Sequence, residues 1–286
     1  MELFNIECGT FKLDGGAMFG VVPKVIWNNR YPADENNLCD WALRALLVVE
    51  NDRKVLIDCG CGDKQDDKFF KHYYLDLSHN LKSSLKKTGI KPEDITDLVL
   101  THLHFDHGGG AVEYNENRTE LNLVFPNATH WIGKSHWDLA NSPNDREKAS
   151  FLPENFLPIE EKGKLELIEK DTVLFPGFEL RIFNGHTDGQ ILPFINYNGN
   201  TIVYMADLLP STAHIPMPYV MSYDSRPMLT MQEKKGFFKE ALEKNYTLFF
   251  EHDFYNECCN LQDTIKGVRA NETFSLEEFI HRNSLP

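Results

Sequence analysis

Residues 101–110 of this 286-residue chain read Thr-His-Leu-His-Phe-Asp-His-Gly-Gly-Gly and follow a short apolar run. Three imidazoles and one carboxylate lie within six of these positions. In an extended backbone His102 and His104 point to the same side, as two ligands of one metal ion must. Asp106 and His107 lie beyond the bend and can reach a second ion, and the glycines let the backbone turn sharply near the site. This stretch therefore predicts a metal centre.

Three polar residues further along the chain can complete the coordination of two ions. They are His186, Asp207 and His252, each of which comes at or just after the end of a predicted apolar strand. Loops at the ends of strands form sites on a rigid scaffold. We therefore expect these side chains to join the histidine-rich stretch.

The charge balance restricts the partners of the protein. Lysine and arginine number 29 against 43 aspartate and glutamate residues, which gives a formal net charge of −14. Such a surface disfavours nucleic acid as a partner. No apolar run is long enough to span a membrane, and residues 1–10 lack the features of a secretory signal. We therefore expect a cytoplasmic protein without membrane contact, whose six cysteines are buried thiols.

The order of predicted elements indicates an α/β fold. Strands come in two batches, each followed by helices, which suggests two sheets packed face to face with helices outside. We expect one domain over 1–286, with a loop at about 14–37 and an irregular insertion at about 141–161. Strands are predicted near 3–13, 42–50, 54–58, 97–101, 128–132, 164–168, 178–183, 191–197, 201–205 and 246–250, and helices over 66–87, from 134, and over 226–244 and 275–281.

The pattern His-x-His-x-Asp-His, followed at a distance by His, Asp and His, resembles the metallo-β-lactamase superfamily. The resemblance implies an αββα sandwich, in which two mixed β-sheets carry helices on both outer faces and a two-metal site lies between the sheets. It assigns His102, His104 and His186 to the first ion. It assigns Asp106, His107 and His252 to the second ion, with Asp207 as the bridge. Two divalent ions are expected, with zinc favoured over iron, manganese or cobalt.

A second stretch narrows the resemblance. Residues 14–24, Asp-Gly-Gly-Ala-Met-Phe-Gly-Val-Val-Pro-Lys, are similar to the N-terminal stretch of quorum-quenching N-acyl-homoserine lactonases and of related organophosphate hydrolases. Residues 207–214 and 252–253 also fit that subgroup. The resemblance implies substrate contacts by Met18, Phe19, Trp27, His214 and Tyr223. The apolar stretch at 18–22 has core packing and a dimer interface as its alternatives.

One position departs from the subgroup. Some of its members carry a tyrosine three residues after the bridging aspartate, where it steers the substrate carbonyl, and this chain has Pro210 there. Tyr223 or His214 is the candidate replacement. The choice of substrate is therefore less constrained by the sequence than the metal site is.

These patterns together predict a dinuclear metal-dependent hydrolase that opens lactone rings, with N-acyl-homoserine lactones as the expected substrate and a homodimer as a further expectation. A metal-bridging hydroxide would attack the carbonyl. Asp106 and Asp207 are the predicted catalytic residues, and Asp188 or Asp253 is the candidate for orienting an imidazole. Phosphotriester or other ester hydrolysis on the same metals is the first alternative. A non-catalytic metal-binding protein is the second.

Overall fold

The structure is a computed structural model and describes residues 1–284. The chain divides into two compact units. The first unit comprises residues 1–11 and 42–170, and the second comprises residues 12–41 and 171–284. Within residues 1–284, no helix combines the length and the apolar character that crossing a bilayer requires.

The first unit is built on a mixed six-stranded sheet in the order β1-β2-β3-β4-β7-β8, with β5 and β6 forming a separate hairpin. Strands β3, β4, β7 and β8 run parallel, so their carboxyl ends lie at one edge of the sheet. The strands are β1 (Glu2–Asp14), β2 (Leu38–Glu50), β3 (Arg53–Ile57), β4 (Asp97–Val99), β5 (Val112–Tyr114), β6 (Leu121–Leu123), β7 (Thr129–Gly133) and β8 (Leu165–Ile168). The end of β1 and the start of β2 belong to the second unit.

Five helices accompany this sheet in the first unit. They are α3 (Asp67–Tyr73), α4 (Leu81–Thr88), α5 (Phe105–Gly108), α6 (Lys134–Asn141) and α7 (Leu157–Glu161). Residues 41–48 of β2 are all buried, as expected for a strand that is covered on both faces.

The second unit is built on a mixed seven-stranded sheet in the order β15-β14-β13-β12-β11-β10-β9. Strands β10 and β12 both run antiparallel to β11, and β13 runs parallel to β12, so β10, β12 and β13 point the same way. The elements are α1 (Gly15–Phe19), α2 (Lys24–Trp27), β9 (Thr172–Phe175), β10 (Phe178–Phe183), β11 (Gln190–Tyr197), β12 (Asn200–Tyr204), α8 (Pro227–Glu243), β13 (Thr247–Phe249), β14 (Cys258–Gln262), β15 (Arg269–Phe274) and α9 (Leu276–Asn283).

The prediction of one continuous helix over 66–87 is wrong. Helix α3 ends at Tyr73, and the next residue, Tyr74, adopts a left-handed conformation with φ of 48°. The chain then pairs with β1, where the backbone N–H of Asp76 donates to the Thr10 carbonyl at 2.8 Å and the Thr10 N–H donates back at 2.9 Å. A new helix, α4, begins after Asn80, whose side chain caps it. Strand pairing at Asp76 thus overrides the helical pattern of the surrounding residues.

The six cysteines are all buried, and no disulfide joins them within residues 1–284. This confirms the expectation of buried thiols. Burial raises the pKa of the Cys39 thiol to about 12, so this thiol stays protonated at neutral pH.

Candidate metal centre

In the first unit, the histidine-rich stretch begins two residues after β4. The ring centroids of His102 and His104 lie 4.5 Å apart, and the two residues offer ligand atoms within 4.8 Å of each other. The His107 ring lies 3.8 Å from the His102 ring. His107 Nε2 also lies 3.9 Å from a carboxylate oxygen of Asp106. The four predicted ligands of this unit are therefore brought together, and all four are buried.

A buried carboxylate orients one of these imidazoles. Asp58 directly follows β3, the parallel neighbour of β4, so its side chain lies at the same sheet edge as the ligands. Its carboxylate accepts the Thr101 N–H at 2.8 Å and the Thr101 hydroxyl at 2.7 Å, and lies 3.1 Å from His107 Nδ1. This contact holds the proton on Nδ1 and leaves Nε2 as the nitrogen for a metal.

Two further side chains support the histidine-rich stretch. The backbone N–H of Leu103, between the first two ligands, donates to His136 Nε2 at 2.7 Å. The carboxylate of Glu147 lies 3.9 Å from His104 Nε2 and is buried. Sequence reasoning missed both residues as neighbours of the site, and Glu147 lies in the predicted insertion at about 141–161.

The glycines after His107 allow a close approach between two backbone segments. A Cβ at Gly109 would lie 2.1 Å from the Cys61 carbonyl oxygen, and one at Gly110 would lie 2.1 Å from that of Cys59. No side chain fits at either distance. Gly109 and Gly110 are therefore required for the close approach of these two backbone segments. Neither has a positive φ, so the sharp turn that was expected of these glycines does not use their left-handed freedom.

In the second unit, the other three predicted ligands also converge. His186, Asp207 and His252 follow β10, β12 and β13, which run in the same direction and end at the same edge of the sheet. One carboxylate oxygen of Asp207 lies 3.1 Å from His186 Nε2, and its other oxygen lies 3.4 Å from His252 Nε2. A single carboxylate thus presents one oxygen to each of two imidazoles.

The turn that carries His186 is held by three contacts. Asp224 lies 2.8 Å from His186 Nδ1, which leaves Nε2 directed to Asp207. The Glu233 carboxylate, on α8, accepts the backbone N–H groups of Asn184 and Gly185 at 2.7 and 2.9 Å. Burial raises the pKa of Glu233, and these two N–H donors oppose that shift. Asp224 was missed by sequence reasoning.

Replacing Gly185 by Ala should disturb this turn. The added Cβ would lie 2.5 Å from backbone atoms of Thr230 on α8, so the turn or the helix must shift. Overpacking of this kind costs about 1–3 kcal/mol. We expect a lower melting temperature and weaker metal retention, measured by thermal unfolding and by metal analysis after dialysis. Gly236→Ala is the matched control, because nothing lies within 4 Å of that Cβ, and it should not lower either value.

The predicted substrate-contacting residues of the N-terminal stretch lie in an aromatic cluster. Phe19 stacks on Trp27 at 5.0 Å and on the His214 ring at 4.7 Å between ring centroids. Met18, Phe19, Trp27 and His214 are each at most 1% exposed. Tyr223 is 41% exposed. Substrate contact by these residues stays a prediction. The burial of Met18 and Phe19 agrees with the core-packing alternative for the 18–22 stretch, whereas Tyr223 is accessible.

His214 has both ring nitrogens engaged. Nε2 lies 2.9 Å from the Met18 carbonyl oxygen, which can only accept, so Nε2 carries the proton. Nδ1 then accepts the Ser211 hydroxyl at 2.8 Å. Burial lowers the pKa of His214 to about 3, so the ring is neutral at physiological pH. Neither ring nitrogen of His214 is therefore left to exchange a proton with a substrate, and substrate contact by this residue stays a prediction.

The two aspartates suggested as imidazole partners make other contacts. Asp188 is ion-paired with Arg226. Asp253 accepts the Thr212 N–H and hydroxyl at 2.8 and 2.6 Å, which ties the segment after Asp207 to the segment after β13. Among the described contacts to Nδ1 atoms of the predicted ligands, Asp58 lies at His107 and Asp224 lies at His186.

The sequence profile of the Metallo-beta-lactamase superfamily matches residues 44–252. The chain belongs to this superfamily. The predicted fold class is thereby confirmed, and two mixed sheets with accompanying helices are present in the structure. Membership of the superfamily, together with the clustered histidines and aspartates of each unit, supports a metal-dependent hydrolase.

Several curated relatives are named lactonases. An N-acyl homoserine lactonase AiiB of Agrobacterium fabrum is 30% identical over 204 residues, which cover 66% of this chain and 70% of the relative. An N-acyl homoserine lactonase of Bacillus cereus is 26% identical over 176 residues, which cover 60% of this chain. That match spans 62% of the Bacillus cereus protein, which is less than two thirds of its length.

Solved structures share the fold over nearly the whole chain. A probable metal-dependent hydrolase from Staphylococcus aureus is 28% identical with a TM-score of 0.88, and the match covers 96% of this chain and 97% of that one. AidC, described as a dizinc quorum-quenching lactonase in complex with a product, has a TM-score of 0.77 at 23% identity, covering 95% of this chain and 94% of its own. At that identity the likeness shows the fold alone.

Proposed function

We propose that this chain is a dinuclear metal-dependent hydrolase that opens lactone rings, with N-acyl-homoserine lactones as the substrate. The observation that carries the proposal is the geometry of Asp207, whose two oxygens each face a different imidazole, as a carboxylate between two ions requires. The relatives named N-acyl homoserine lactonase support the choice of substrate. Zinc as the resident metal, a cytoplasmic location and a homodimer stay predictions.

The residues present fit two divalent ions. Asp58 and Asp224 fix the Nδ1 atoms of His107 and His186, so that the Nε2 atoms are left for metal. Imidazole nitrogens with carboxylate oxygens form a donor set that suits zinc, iron, manganese or cobalt. In the proposal one ion is held by His102, His104 and His186, the other by Asp106, His107 and His252, and both by Asp207.

Two bound ions would lower the pKa of a water molecule and polarise the lactone carbonyl, which supplies the nucleophile without a serine or cysteine. In this proposal the negative charge of Asp207 offsets part of the charge of the two ions, and its two oxygens keep the ions at a fixed separation. Asp106, at the start of α5, is positioned by its short helix beside His107. It is the residue proposed to take up the proton that the attacking water gives up and to pass it to the departing ring oxygen. Asp58 and Asp224 keep the imidazoles from rotating during turnover.

The test is proton release from a long-chain N-acyl-homoserine lactone by zinc- or cobalt-loaded protein, with a phosphotriester assayed in parallel. We expect fast lactone opening that a chelator abolishes and that His104→Ala reduces by about 10³-fold, because a lost metal costs several kcal/mol of transition-state stabilisation. His79→Ala, an exposed histidine between α3 and α4, is the matched control and should keep full activity.

Each other outcome has a definite meaning. Triester turnover without lactone turnover would favour phosphotriester hydrolysis on the same metals. Pro210, which stands where some lactonases have a tyrosine that steers the substrate, is compatible with that outcome. Protein that binds two ions but turns over no ester, lactone or triester would favour the non-catalytic alternative. Lactone opening that survives metal removal would contradict the proposed mechanism.

A further inference from the structure

Helix α8 carries two adjacent charged residues that contact opposite kinds of backbone group. Glu233 accepts the two N–H groups at Asn184 and Gly185, in the turn before His186. Lys234 is fully buried, and its ammonium lies within hydrogen-bond distance of four backbone carbonyls, those of residues 214, 216, 217 and 219. One helix therefore holds two different loops through consecutive residues.

The ammonium of Lys234 is surrounded by backbone carbonyl oxygens. The ammonium donates to the His214 carbonyl at 2.7 Å and to the Tyr219 carbonyl at 3.0 Å. Burial lowers the pKa of Lys234 to about 7, and the Asp224 carboxylate opposes the shift. Burying a charged group is costly unless its donors are used, and here the three N–H donors have four carbonyl oxygens within reach. The side chain thus ties a loop that has no regular strand or long helix of its own.

The segment that Lys234 holds is joined in turn to the N-terminal stretch. His214 stacks on Phe19 and contacts the Met18 carbonyl. The Ser222 N–H donates to the Ala17 carbonyl at 2.7 Å. A Cβ at Gly20 would lie 2.3 Å from the Val220 carbonyl oxygen, so the two backbones are in close contact. We call residues 17–20 together with 214–222 the substrate wall.

We propose that Lys234 is a positioning residue for the substrate wall, and that its neighbour Glu233 is a positioning residue for the metal ligand His186. The assignment of the wall to substrate rests on the proposed function. The two roles are separable because the carbonyl cage belongs to residues 214–219, whereas the carboxylate contacts belong to the turn at 184–185. Loosening the segment at 214–219 should therefore change substrate affinity, and loosening the turn at 184–185 should change metal affinity.

The first variant is Lys234→Met, which keeps most of the side-chain volume and removes the donors. We expect the KM for a long-chain lactone to rise roughly tenfold while metal content stays unchanged and kcat changes less, since a displaced wall weakens binding more than chemistry. Lys235→Met is the matched control because Lys235 is exposed on the same helix. Lys234→Arg, which retains a cation with several donors, should recover part of the KM.

The second variant is Glu233→Gln, which keeps one acceptor oxygen and replaces the other by an amide N–H donor, so that one of the two backbone N–H groups loses its acceptor. We expect metal binding to weaken by about tenfold or more, as for other residues that orient a ligand. The KM measured at saturating metal should remain that of the wild type. Glu243→Gln, an exposed glutamate at the end of α8, is the control. Equal effects of Glu233→Gln and Lys234→Met on both quantities would overturn the separation of roles.

An independent readout keeps this proposal apart from the choice of substrate. Trp27 stacks on Phe19, and the centroid of the Trp41 ring lies 6.0 Å from that of His214, so their fluorescence reports on the wall. Acrylamide should quench Lys234→Met more strongly than Lys235→Met, with or without lactone turnover. A wild-type protein inactive on lactones would refute the proposed function while this comparison still tests the cage. Identical quenching and identical KM in the two variants would refute the role of Lys234.

Discussion

Replacing Asp207 by Ala is expected to lower bound metal below two ions per chain and to reduce hydrolysis by about 10³-fold or more, because two ions lose a shared ligand and each is worth several kcal/mol of transition-state stabilisation. The two oxygens of Asp207 lie 3.1 and 3.4 Å from the Nε2 atoms of His186 and His252.

Metal content after dialysis, measured per chain, is the primary readout for Asp207→Ala, and the rate of lactone opening is the second. Asp263→Ala, at an exposed position beyond β14, should leave both unchanged. Retention of two ions by Asp207→Ala would contradict the bridging role. Loss of activity with both ions retained would move Asp207 from holding the metals to acting on the substrate.

Asp58→Asn is expected to weaken metal binding by 10–100-fold, the usual cost of losing a carboxylate that orients a ligating imidazole. Asp58 is fully buried and contacts Thr101 twice and His107 Nδ1 once. Asparagine tolerates the positive φ of 56° at this position, so the substitution causes no backbone strain. It removes the negative charge and replaces one acceptor oxygen by an amide N–H donor. The cause of the effect would therefore be the lost orientation of His107.

Competition with a chelator measures the metal affinity of Asp58→Asn, and thermal unfolding of the metal-free protein measures its stability. A buried donor left facing donors costs about 1–3 kcal/mol, so we expect a lower melting temperature in addition. Asp52→Asn, in the exposed turn between β2 and β3, is the control. Unchanged metal affinity in a destabilised Asp58→Asn would mean that Asp58 supports the fold and not the ligand.

The sequence predicted most of the regular elements that position the site, because their apolar periodicity is strong. Strands near 178–183 and 201–205 and the helix at 226–244 are confirmed within one or two residues. The predictions missed the short strands β5, β6 and β9 and also β14 and β15. Strand β15 is largely polar, and β14 begins with two adjacent buried cysteines and does not alternate. The predictions also joined α3 to α4, because the pairing of Asp76 with Thr10 connects positions 66 residues apart and leaves no local signal.

Ligand candidates were accessible from the sequence because imidazoles and carboxylates stood at the ends of apolar strands. The same rule would have found Asp58, which directly follows the buried end of β3. No comparable signal marks Asp224, which lies in an irregular segment, or Glu147, which lies in the insertion. Residues of this kind can be recognised only in the folded structure, where they lie next to an imidazole that is distant in the sequence.

The amino-acid sequence by itself determined the superfamily resemblance, the candidate ligands and the type of chemistry, because those depend on residue types at short spacings and at strand ends. Only the tertiary structure decided which nitrogen of His107 and His186 is left for a metal, that both nitrogens of His214 are engaged, and that Lys234 holds the segment after Asp207. These properties depend on hydrogen bonds between residues far apart in the chain. Composition and spacing carry no record of such bonds, since the same side chains can be satisfied by many partners.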